Sequence, residues 1–167
     1  MRLFFALWPP AKTAHSLNRW ANAVMHEVGG TLTPTANIHL TLAFLGDADP
    51  ALARKAAQAV SAPRHDLHVD DGQYWSHNKI VWVGPRSAPA ALTDLVKQLQ
   101  GALREAGFKL EERAFAPHIT VLRKTSSPRA LPLLPQVEWP VTEFLLVRSR
   151  NTANGSAYEP VERFPLT

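Results

Sequence analysis

Cysteine is absent from the 167 residues of this chain. Without thiols the chain can form neither a structural disulfide nor a thiolate zinc site, and it has no cysteine nucleophile. A chain of this length can bury a large apolar core unaided, so the sequence predicts one domain over residues 1–167. Its 46% hydrophobic and 19% charged residues are typical of a folded globular protein.

Long apolar runs are also absent. The most apolar stretch, residues 1–8, is too short to span a membrane, and it stops at Pro9 and Pro10 without a signal-cleavage pattern. We interpret it as a buried strand in a cytoplasmic protein with no membrane partner.

No run of like charge stands out. Lys and Arg number 18 against 14 Asp and Glu, which gives a formal net charge of +4. This mild excess favours anionic partners, although a soluble protein that is merely basic fits the numbers equally well. Because the basic residues are dispersed, any nucleic acid would be held by a folded surface rather than by a basic tail.

Pro and Gly divide the chain into short strands and two or three helices, which predicts an α+β fold rather than a regular βαβ array. Apolar spacing predicts helices over residues 14–28, 51–60 and 92–106, with Asp49 and Pro50 as the N-cap and first position of the second one. Strands are predicted at residues 2–8, 37–45, 66–75, 79–83, 115–123, 141–148 and 157–164, with a hairpin turn at 76–78 and a proline-rich loop at 126–140.

Two of the seven histidines, His39 and His118, lie in the pattern His-x-Thr within an apolar stretch. One such match is weak evidence, because seven histidines would give about one by chance. Both copies, however, read apolar, His, aliphatic, Thr, aliphatic. The two-residue period of a strand places His39 with Thr41, and His118 with Thr120, on one face.

This spacing separates each His and Thr by about 7 Å at their Cα atoms, close enough for both side chains to reach one phosphate. Judged on spacing alone, a structural explanation is equally good. Two core histidines would be satisfied by backbone partners, and the threonines would be present for their β propensity.

Three segments make the chain similar to a known family: Arg2–Leu7, Asn37–Gly46 and Phe115–Arg123. With them the sequence closely resembles the bacterial and archaeal RNA 2',3'-cyclic phosphodiesterases, also called 2'-5' RNA ligases, of the two-histidine (2H) phosphoesterase superfamily. The resemblance covers nearly the whole chain, including Val81–Gly84 and Ser149–Tyr158. The order and separation of the two histidine motifs make it specific.

The resemblance implies a bilobal fold in which two antiparallel sheets face a central cleft, with helices on the outside and one His-x-Thr motif on each sheet. It implies hydrolysis of terminal RNA or nucleoside 2',3'-cyclic phosphates to 2'-phosphates, and reversible 2'-5' joining of RNA ends without ATP. We expect RNA ends or nucleoside cyclic phosphates as partners, no cofactor, no obligate protein partner and a monomer. Ile38 and Asn151 depart from the family pattern, the second in the C-terminal loop.

The chemistry of ring opening agrees with two histidines. One group must take a proton from water while another, on the opposite side of phosphorus, protonates the departing sugar oxygen. Imidazole exchanges its proton near neutral pH, so one neutral and one protonated His form such a pair. Our hypothesis is that His39 protonates the ribose O3' and His118 activates water, with the reverse assignment left open.

Three further residues are predicted to bind the phosphate. Thr41 and Thr120 would donate hydrogen bonds to the non-bridging oxygens, whose charge grows in the transition state. Arg123 is the candidate cation, because guanidinium pairs well with phosphate oxygens. Strand parity argues against Arg123, since an ideal strand turns the fifth residue after His118 to the opposite face. That prediction therefore needs the strand to bend or end first, and a surface arginine is an equally good interpretation.

The other five histidines have no paired context, and we assign them to helix and loop surfaces: His15, His26, His65, His68 and His77. No metal site is predicted, because no His-Glu-x-x-His or comparable ligand set occurs and the pair His65 and His68 lacks a third ligand.

The aromatic residues are expected to serve mainly in the core, including Trp8, Trp75, Trp82 and Trp139. One aromatic, Phe44 or Tyr74, is a candidate for stacking on a nucleobase. Two other functions stay open: a 2H relative that acts on a different phosphodiester, and a non-catalytic module that binds RNA ends.

Overall fold

The computed structural model describes all 167 residues, as three α-helices and ten strands. The helices are α1 (Ala11–Val28), α2 (Pro50–Gln58) and α3 (Ala90–Glu105). The strands are β1 (Arg2–Leu7), β2 (Thr31–Leu32), β3 (Leu40–Asp47), β4 (His65–Val69), β5 (Asp71–Trp75), β6 (Ile80–Gly84), β7 (Ile119–Arg123), β8 (Val137–Val141), β9 (Glu143–Thr152) and β10 (Gly155–Pro165).

The strands form two four-stranded sheets and a two-stranded one. The first sheet has the order β10-β9-β1-β3, the second has the order β2-β7-β6-β5, and β4 pairs with β8. Every pairing is antiparallel. The α+β class and the antiparallel sheets expected from the sequence are thereby confirmed.

Helix boundaries follow the local signals in the sequence. The Asp49 side chain accepts a hydrogen bond from the Ala51 N–H at 2.9 Å, so the predicted N-cap of α2 is confirmed. Helix α1 ends where the Gly29 N–H donates to the Met25 carbonyl. None of the three helices is long and apolar enough to cross a membrane.

Two predicted boundaries were wrong. Residues 66–75 are not one strand, because the chain breaks at Asp70: β4 pairs with β8, whereas β5 pairs with β6. The predicted loop at 126–140 contains most of β8. The strand was not predicted because Pro140 lies within it, and proline argues against a strand. Pro140 is exposed on this two-stranded pair, a position that tolerates a missing N–H.

The first sheet has apolar side chains on both faces. One face contributes Leu3, Phe5 and Leu7 to the main core, which α1, α2 and α3 also line. The opposite face carries a separate small cluster in which Phe4 and Ala6 pack with Leu145 and Val147, and Trp8 and Tyr158 border it. This second aromatic face is the one on which His39 lies, because its ring contacts Phe4, Trp8 and Tyr158.

Candidate active site

The two His-x-Thr motifs lie on different sheets. Strand β3 forms an edge of the first sheet, and β7 lies between β2 and β6 in the second. Each strand begins one residue after its histidine, at Leu40 and at Ile119, so the histidines precede the strands rather than lying inside them. The backbone explains this correction: the Ile38 N–H is used in a turn with Thr35, and Pro117 has no N–H for a sheet ladder.

Both imidazole rings are held in the same way. The His39 Nδ1 lies 2.7 Å from the Asn37 carbonyl oxygen, and the His118 Nδ1 lies 2.9 Å from the Ala116 carbonyl oxygen. A carbonyl can only accept, so each Nδ1 carries the hydrogen and donates it. The Nε2 of each neutral ring is therefore the atom left free to take up a proton.

A cavity of about 1150 Å³ is lined by both histidines and both threonines. Its walls come from β1, β3, β9 and β10 of the first sheet and from β2, β5, β6 and β7 of the second. The lining contains four Arg or Lys side chains and one carboxylate, namely Arg2, Arg113, Arg123, Lys124 and Glu111. This balance of charge suits an anionic ligand.

A β-bulge follows each motif at the same position, three residues after the histidine. Leu42 has no partner on β1, because the pairs Ala6–Thr41 and Phe5–Ala43 flank it. Val121 has none on β6, because the pairs Trp82–Thr120 and Val81–Leu122 flank it. An extra residue on one strand reverses the alternation of side chains beyond it.

The bulges explain the position of Arg123. Five residues beyond His118, an ideal strand would turn Arg123 away, but after the bulge at Val121 it lines the same cavity as the histidines. Its charge also acts on the opposite sheet, where it adds to the lowering of the His39 pKa that burial chiefly causes. Phe44 occupies the matching position after the bulge at Leu42 and lines the cavity as well.

Hydrogen bonds from neighbouring elements support both bulges. The Gln100 side chain of α3 donates to the Leu42 carbonyl at 3.1 Å. On β7, the Thr33 N–H donates to the Val121 carbonyl at 3.0 Å and the Thr33 hydroxyl donates to the Thr120 carbonyl at 2.9 Å. Carbonyl groups that a bulge removes from the ladder therefore find other donors, as buried backbone groups require.

His39 lies among three aromatic rings. The Trp8 indole stacks on it with the ring centroids 4.7 Å apart and the planes 11° apart, and Phe4 and Tyr158 lie at 5.2 and 5.1 Å. Burial among these rings lowers the pKa of His39 below its ordinary value of 6.5. The carbonyl of Asn37 opposes this shift by accepting from the ring, while the charges of Arg123 and His118 reinforce it.

His118 has a more open setting. The edge of the Trp75 ring meets it at a centroid distance of 4.7 Å and an angle of 60°, and Trp82 lies farther away at 6.2 Å. Of the four tryptophans expected in the core, only Trp139 is fully buried, at 1% exposure. Trp8, Trp75 and Trp82 are half-buried and contact the histidines instead, because they lie on the sheet faces next to the cavity.

The two histidine loops are anchored by different contacts. The Asn37 side chain donates to the Ser156 carbonyl at 3.3 Å, which ties the His39 loop to β10. The His118 loop instead lies directly on β6, where a Cβ added at Gly84 would come within 2.7 Å of the Pro117 carbonyl oxygen. Only glycine permits that approach.

Of the remaining histidines, His15, His26, His68 and His77 are exposed as expected, whereas His65 is half-buried, with its Nε2 buried and without a hydrogen-bond partner. His65 and His68 lie on β4 rather than on a helix or loop. His77 belongs to the exposed turn between β5 and β6, contacts Trp75 at a centroid distance of 5.7 Å and lines the cavity. His68 pairs with Glu138 outside the cavity. No group of three or more His, Cys, Asp and Glu side chains is arranged to hold a metal ion.

A smaller cavity of about 460 Å³ lies on the far side of Trp8 and Tyr158. Proline side chains and a Glu143–Arg163 ion pair line it, and neither histidine reaches it. The cavity that contains both His-x-Thr motifs is therefore the candidate active site.

Residues 9–153 match the family model described as the 2'-5' RNA ligase superfamily. The chain belongs to the 2'-5' RNA ligase superfamily. The superfamily resemblance covers most of the chain, since the matched residues include both His-x-Thr motifs and both bulges.

Individual relatives in the superfamily cover nearly the whole chain. The chain is 34% identical over 172 residues to a protein of Escherichia coli named RNA 2',3'-cyclic phosphodiesterase, covering 99% of this chain and 97% of that one. A protein of Thermus thermophilus with the same name is 32% identical over 183 residues, covering 99% and 90%. The crystal structure of Escherichia coli LigT in apo form matches with a TM-score of 0.91 at 31% identity, covering 99% of this chain and 97% of LigT.

Proposed function

We propose that this protein hydrolyses the 2',3'-cyclic phosphate at the end of an RNA, or of a nucleoside, to a 2'-phosphate. The observation that supports this most directly is the meeting of two His-x-Thr motifs from two sheets in one positively charged cavity. Its relatives in Escherichia coli and Thermus thermophilus carry the name of that activity. A structure of Escherichia coli LigT has also been determined with 3'-AMP bound.

In the proposed reaction, a water molecule attacks phosphorus and gives its proton to one imidazole. The P–O3' bond breaks, and the other imidazole donates a proton to O3'. The sugar then carries a 3'-hydroxyl and a 2'-phosphate. Each histidine contributes roughly 10²–10⁴-fold to the rate in this kind of proton transfer. Ligation would follow the same steps with the 5'-hydroxyl of a second RNA end in place of water, and cleavage of the resulting 2'-5' linkage would reverse them with the histidine roles exchanged.

The surroundings of His39 bear on which histidine is the base. Its lowered pKa favours the neutral ring at neutral pH, and a neutral ring is the form that accepts a proton from water. This supports the reverse of the assignment expected from the sequence: His39 as base and His118 as acid in hydrolysis. The Nδ1–H to carbonyl bond at each ring presents Nε2 to the reactants in either assignment.

Thr41, Thr120 and Arg123 are the proposed phosphate ligands. All three line the cavity with the histidines. Hydroxyl donors and a guanidinium stabilise the charge that develops on the non-bridging oxygens of a pentacoordinate phosphorus. No step in this scheme uses a cofactor or a metal ion.

The proposal extends to the organisation of the protein. We propose a single bilobal domain over residues 1–167 in which the cavity is the cleft between the lobes, acting as a monomer without an obligate protein partner. We also propose a cytoplasmic location, as is usual for an enzyme that acts on RNA ends.

One experiment tests reaction, regiochemistry and metal independence together. The purified protein is incubated with 2',3'-cyclic AMP in EDTA, and the product is identified by chromatography against 2'-AMP and 3'-AMP. We expect 2'-AMP at an undiminished rate. Formation of 3'-AMP, or activity that EDTA abolishes, contradicts the mechanism. Hydrolysis of other phosphodiesters alone indicates a different substrate for the same site, and tight RNA-end binding without turnover indicates a binding module.

A further inference from the structure

Phe44 is exposed in an unusual place. It is one of four large hydrophobic side chains that are substantially exposed, with Met1, Leu52 and Leu133, and 49% of it is accessible. Of the four, only Phe44 lines the histidine cavity. An aromatic face open to a cationic cavity is suited to stacking on a planar group.

The backbone holds Phe44 in that position. The bulge at Leu42 turns it to the side of His39 and Thr41, and Gln100 secures the bulge through the Leu42 carbonyl. Tyr74, the other aromatic expected to stack on a base, packs against the main core and does not line the cavity. The structure thus distinguishes between the two candidates.

Arg2 adds a charge to the same surface. Its guanidinium carbon lies 5.1 Å from the centroid of the Phe44 ring, a cation–π arrangement. Asp47 lies opposite Arg2 in the pairing of β1 with β3, but its carboxylate pairs with the Met1 amino group at 3.5 Å. Arg2 has no carboxylate partner, so its charge is available to a phosphate.

We propose that Phe44 and Arg2 form a platform for the RNA strand that precedes the reacting phosphate. Phe44 stacks on the base of the nucleotide next to the terminal one, and Arg2 pairs with the phosphate between them. The platform therefore makes an RNA end of at least two nucleotides a better substrate than a free cyclic mononucleotide. This inference rests on the proposed function, because it takes the reacting phosphate to lie between His39 and His118.

Distance supports this assignment. Phe44 follows Thr41 by three residues, a separation of at most about 10 Å along the strand, because the bulge at Leu42 lies between them. The ribose that carries the cyclic phosphate, together with its own base, occupies the first part of that span. The platform is thus reached by the next nucleotide upstream. Base stacking on an aromatic side chain tolerates any sequence, so the platform selects for strand length rather than base identity.

The test compares two substrates, 2',3'-cyclic AMP and an adenosine trinucleotide that ends in a 2',3'-cyclic phosphate. The measured quantity is the ratio of kcat/KM for the trinucleotide to kcat/KM for cyclic AMP. Phe44→Ala should lower this ratio roughly 5- to 150-fold, the range that one stacked base contributes. Phe44→Leu keeps apolar bulk without an aromatic face and should lower it similarly, whereas Phe44→Trp should preserve it. Leu52→Ala, an exposed apolar side chain outside the cavity, is the matched control.

A binding measurement separates stacking from turnover. A trinucleotide with 2-aminopurine at its middle position and a 2'-phosphate end should lose fluorescence on binding to the wild-type protein, and less on binding to Phe44→Leu. Arg2→Gln should reduce the dependence of trinucleotide binding on salt by about one counterion.

The outcomes distinguish the two proposals. If the wild-type protein hydrolyses neither substrate, the proposed function fails. If it hydrolyses both, and the ratio and the quenching are unchanged in Phe44→Ala and Phe44→Leu, the reaction stands and the platform is overturned.

Discussion

His39 and His118 share one motif and one backbone hydrogen bond, yet their surroundings differ. His39 lies on the edge strand of its sheet and is enclosed by Phe4, Trp8 and Tyr158. His118 lies at an inner strand, beside the edge of Trp75, and no comparable stack covers it. The difference shows how a repeated motif can supply two unlike groups: the motif provides each imidazole, the backbone carbonyl two residues before it fixes the tautomer, and burial among aromatic rings lowers the pKa of His39.

The largest expected effect is the loss of either imidazole. His39→Ala and His118→Ala should each lower kcat on cyclic AMP by about 10²–10⁴-fold, because each removes one proton-transfer group. Circular dichroism and a melting curve check folding, and His15→Ala on the surface of α1 serves as the control. Substantial activity in either variant would show that the imidazole is not needed.

A substrate with a good leaving group sharpens the comparison further. A p-nitrophenyl phosphodiester releases p-nitrophenolate, which needs no proton to leave. The variant that lacks the acid should therefore retain a larger fraction of wild-type activity on this substrate than on cyclic AMP, and the variant that lacks the base should not. If His39 is the base, His118→Ala should regain more of the wild-type activity on this substrate than His39→Ala does. Recovery by His39→Ala instead would restore the assignment expected from the sequence.

Removal of Arg123 should have the next largest effect. Arg123→Gln deletes the proposed phosphate cation and should lower kcat/KM by about 10²-fold. It also removes a charge that lowers the pKa of His39, so the acid limb of the pH–rate profile should move to higher pH. Arg123→Lys should restore the pH profile more fully than the rate. It keeps the positive charge but lacks the two parallel N–H donors with which a guanidinium binds a phosphate. Arg129→Gln, outside the cavity, should change neither.

Gly84→Ala tests the anchor that only the His118 loop possesses. Its Cβ would come within 2.7 Å of the Pro117 carbonyl oxygen, so the backbone before His118 must shift. Displacement of this kind can lower kcat by up to about 10²-fold. Gly101→Ala in α3, where nothing lies within 4 Å of the added Cβ, is the control and should stabilise the protein by about 0.5–1 kcal/mol. Equal kcat in Gly84→Ala and Gly101→Ala would mean that displacement of the loop before His118 does not affect catalysis.

The smallest expected effect is on stability. The pKa of His39 is lower in the folded state than its ordinary value of 6.5, so the unfolded chain binds more protons below that pH. The free energy of unfolding should therefore fall as the pH drops below about 6.5, and level off once His39 is protonated in the folded protein too. His39→Asn should lose less stability than the wild type over this range in urea titrations. An equal or greater loss of stability in His39→Asn than in the wild type would contradict a lowered pKa of His39 in the folded protein.

Much of the fold could be predicted from the sequence because its signals are local. The spacing of Leu92, Leu95 and Leu99 defines α3, and Asp49 caps α2 through a neighbouring N–H. The pairing of β4 with β8 could not be predicted in this way, because it joins residues about seventy positions apart and Pro140 disguises one of the strands.

The candidate site shows the same division between features set by local sequence and features set by long-range contacts. The pattern of His, Thr and aliphatic residues marks the motifs in the sequence, and the family resemblance identifies them. The bulges at Leu42 and Val121 depend on pairing with other strands, so parity alone turned Arg123 the wrong way. The enclosure of His39 by Trp8 and Tyr158 joins opposite ends of the chain, and its lowered pKa follows from that tertiary contact.

The strand order of the first sheet has a consequence for synthesis on the ribosome. Strand β1 lies between β3 and β9, so one of its edges stays without a partner until almost a hundred further residues have been translated after β3. An unpaired apolar edge invites association with other chains, and nascent chains fold from the N-terminus as they emerge. We expect the first sheet, which carries His39, to be completed last, although the His39 motif is translated before the His118 motif. A translation intermediate arrested before residue 143 should accordingly be cleaved by protease within residues 2–7, and protection there would refute this order.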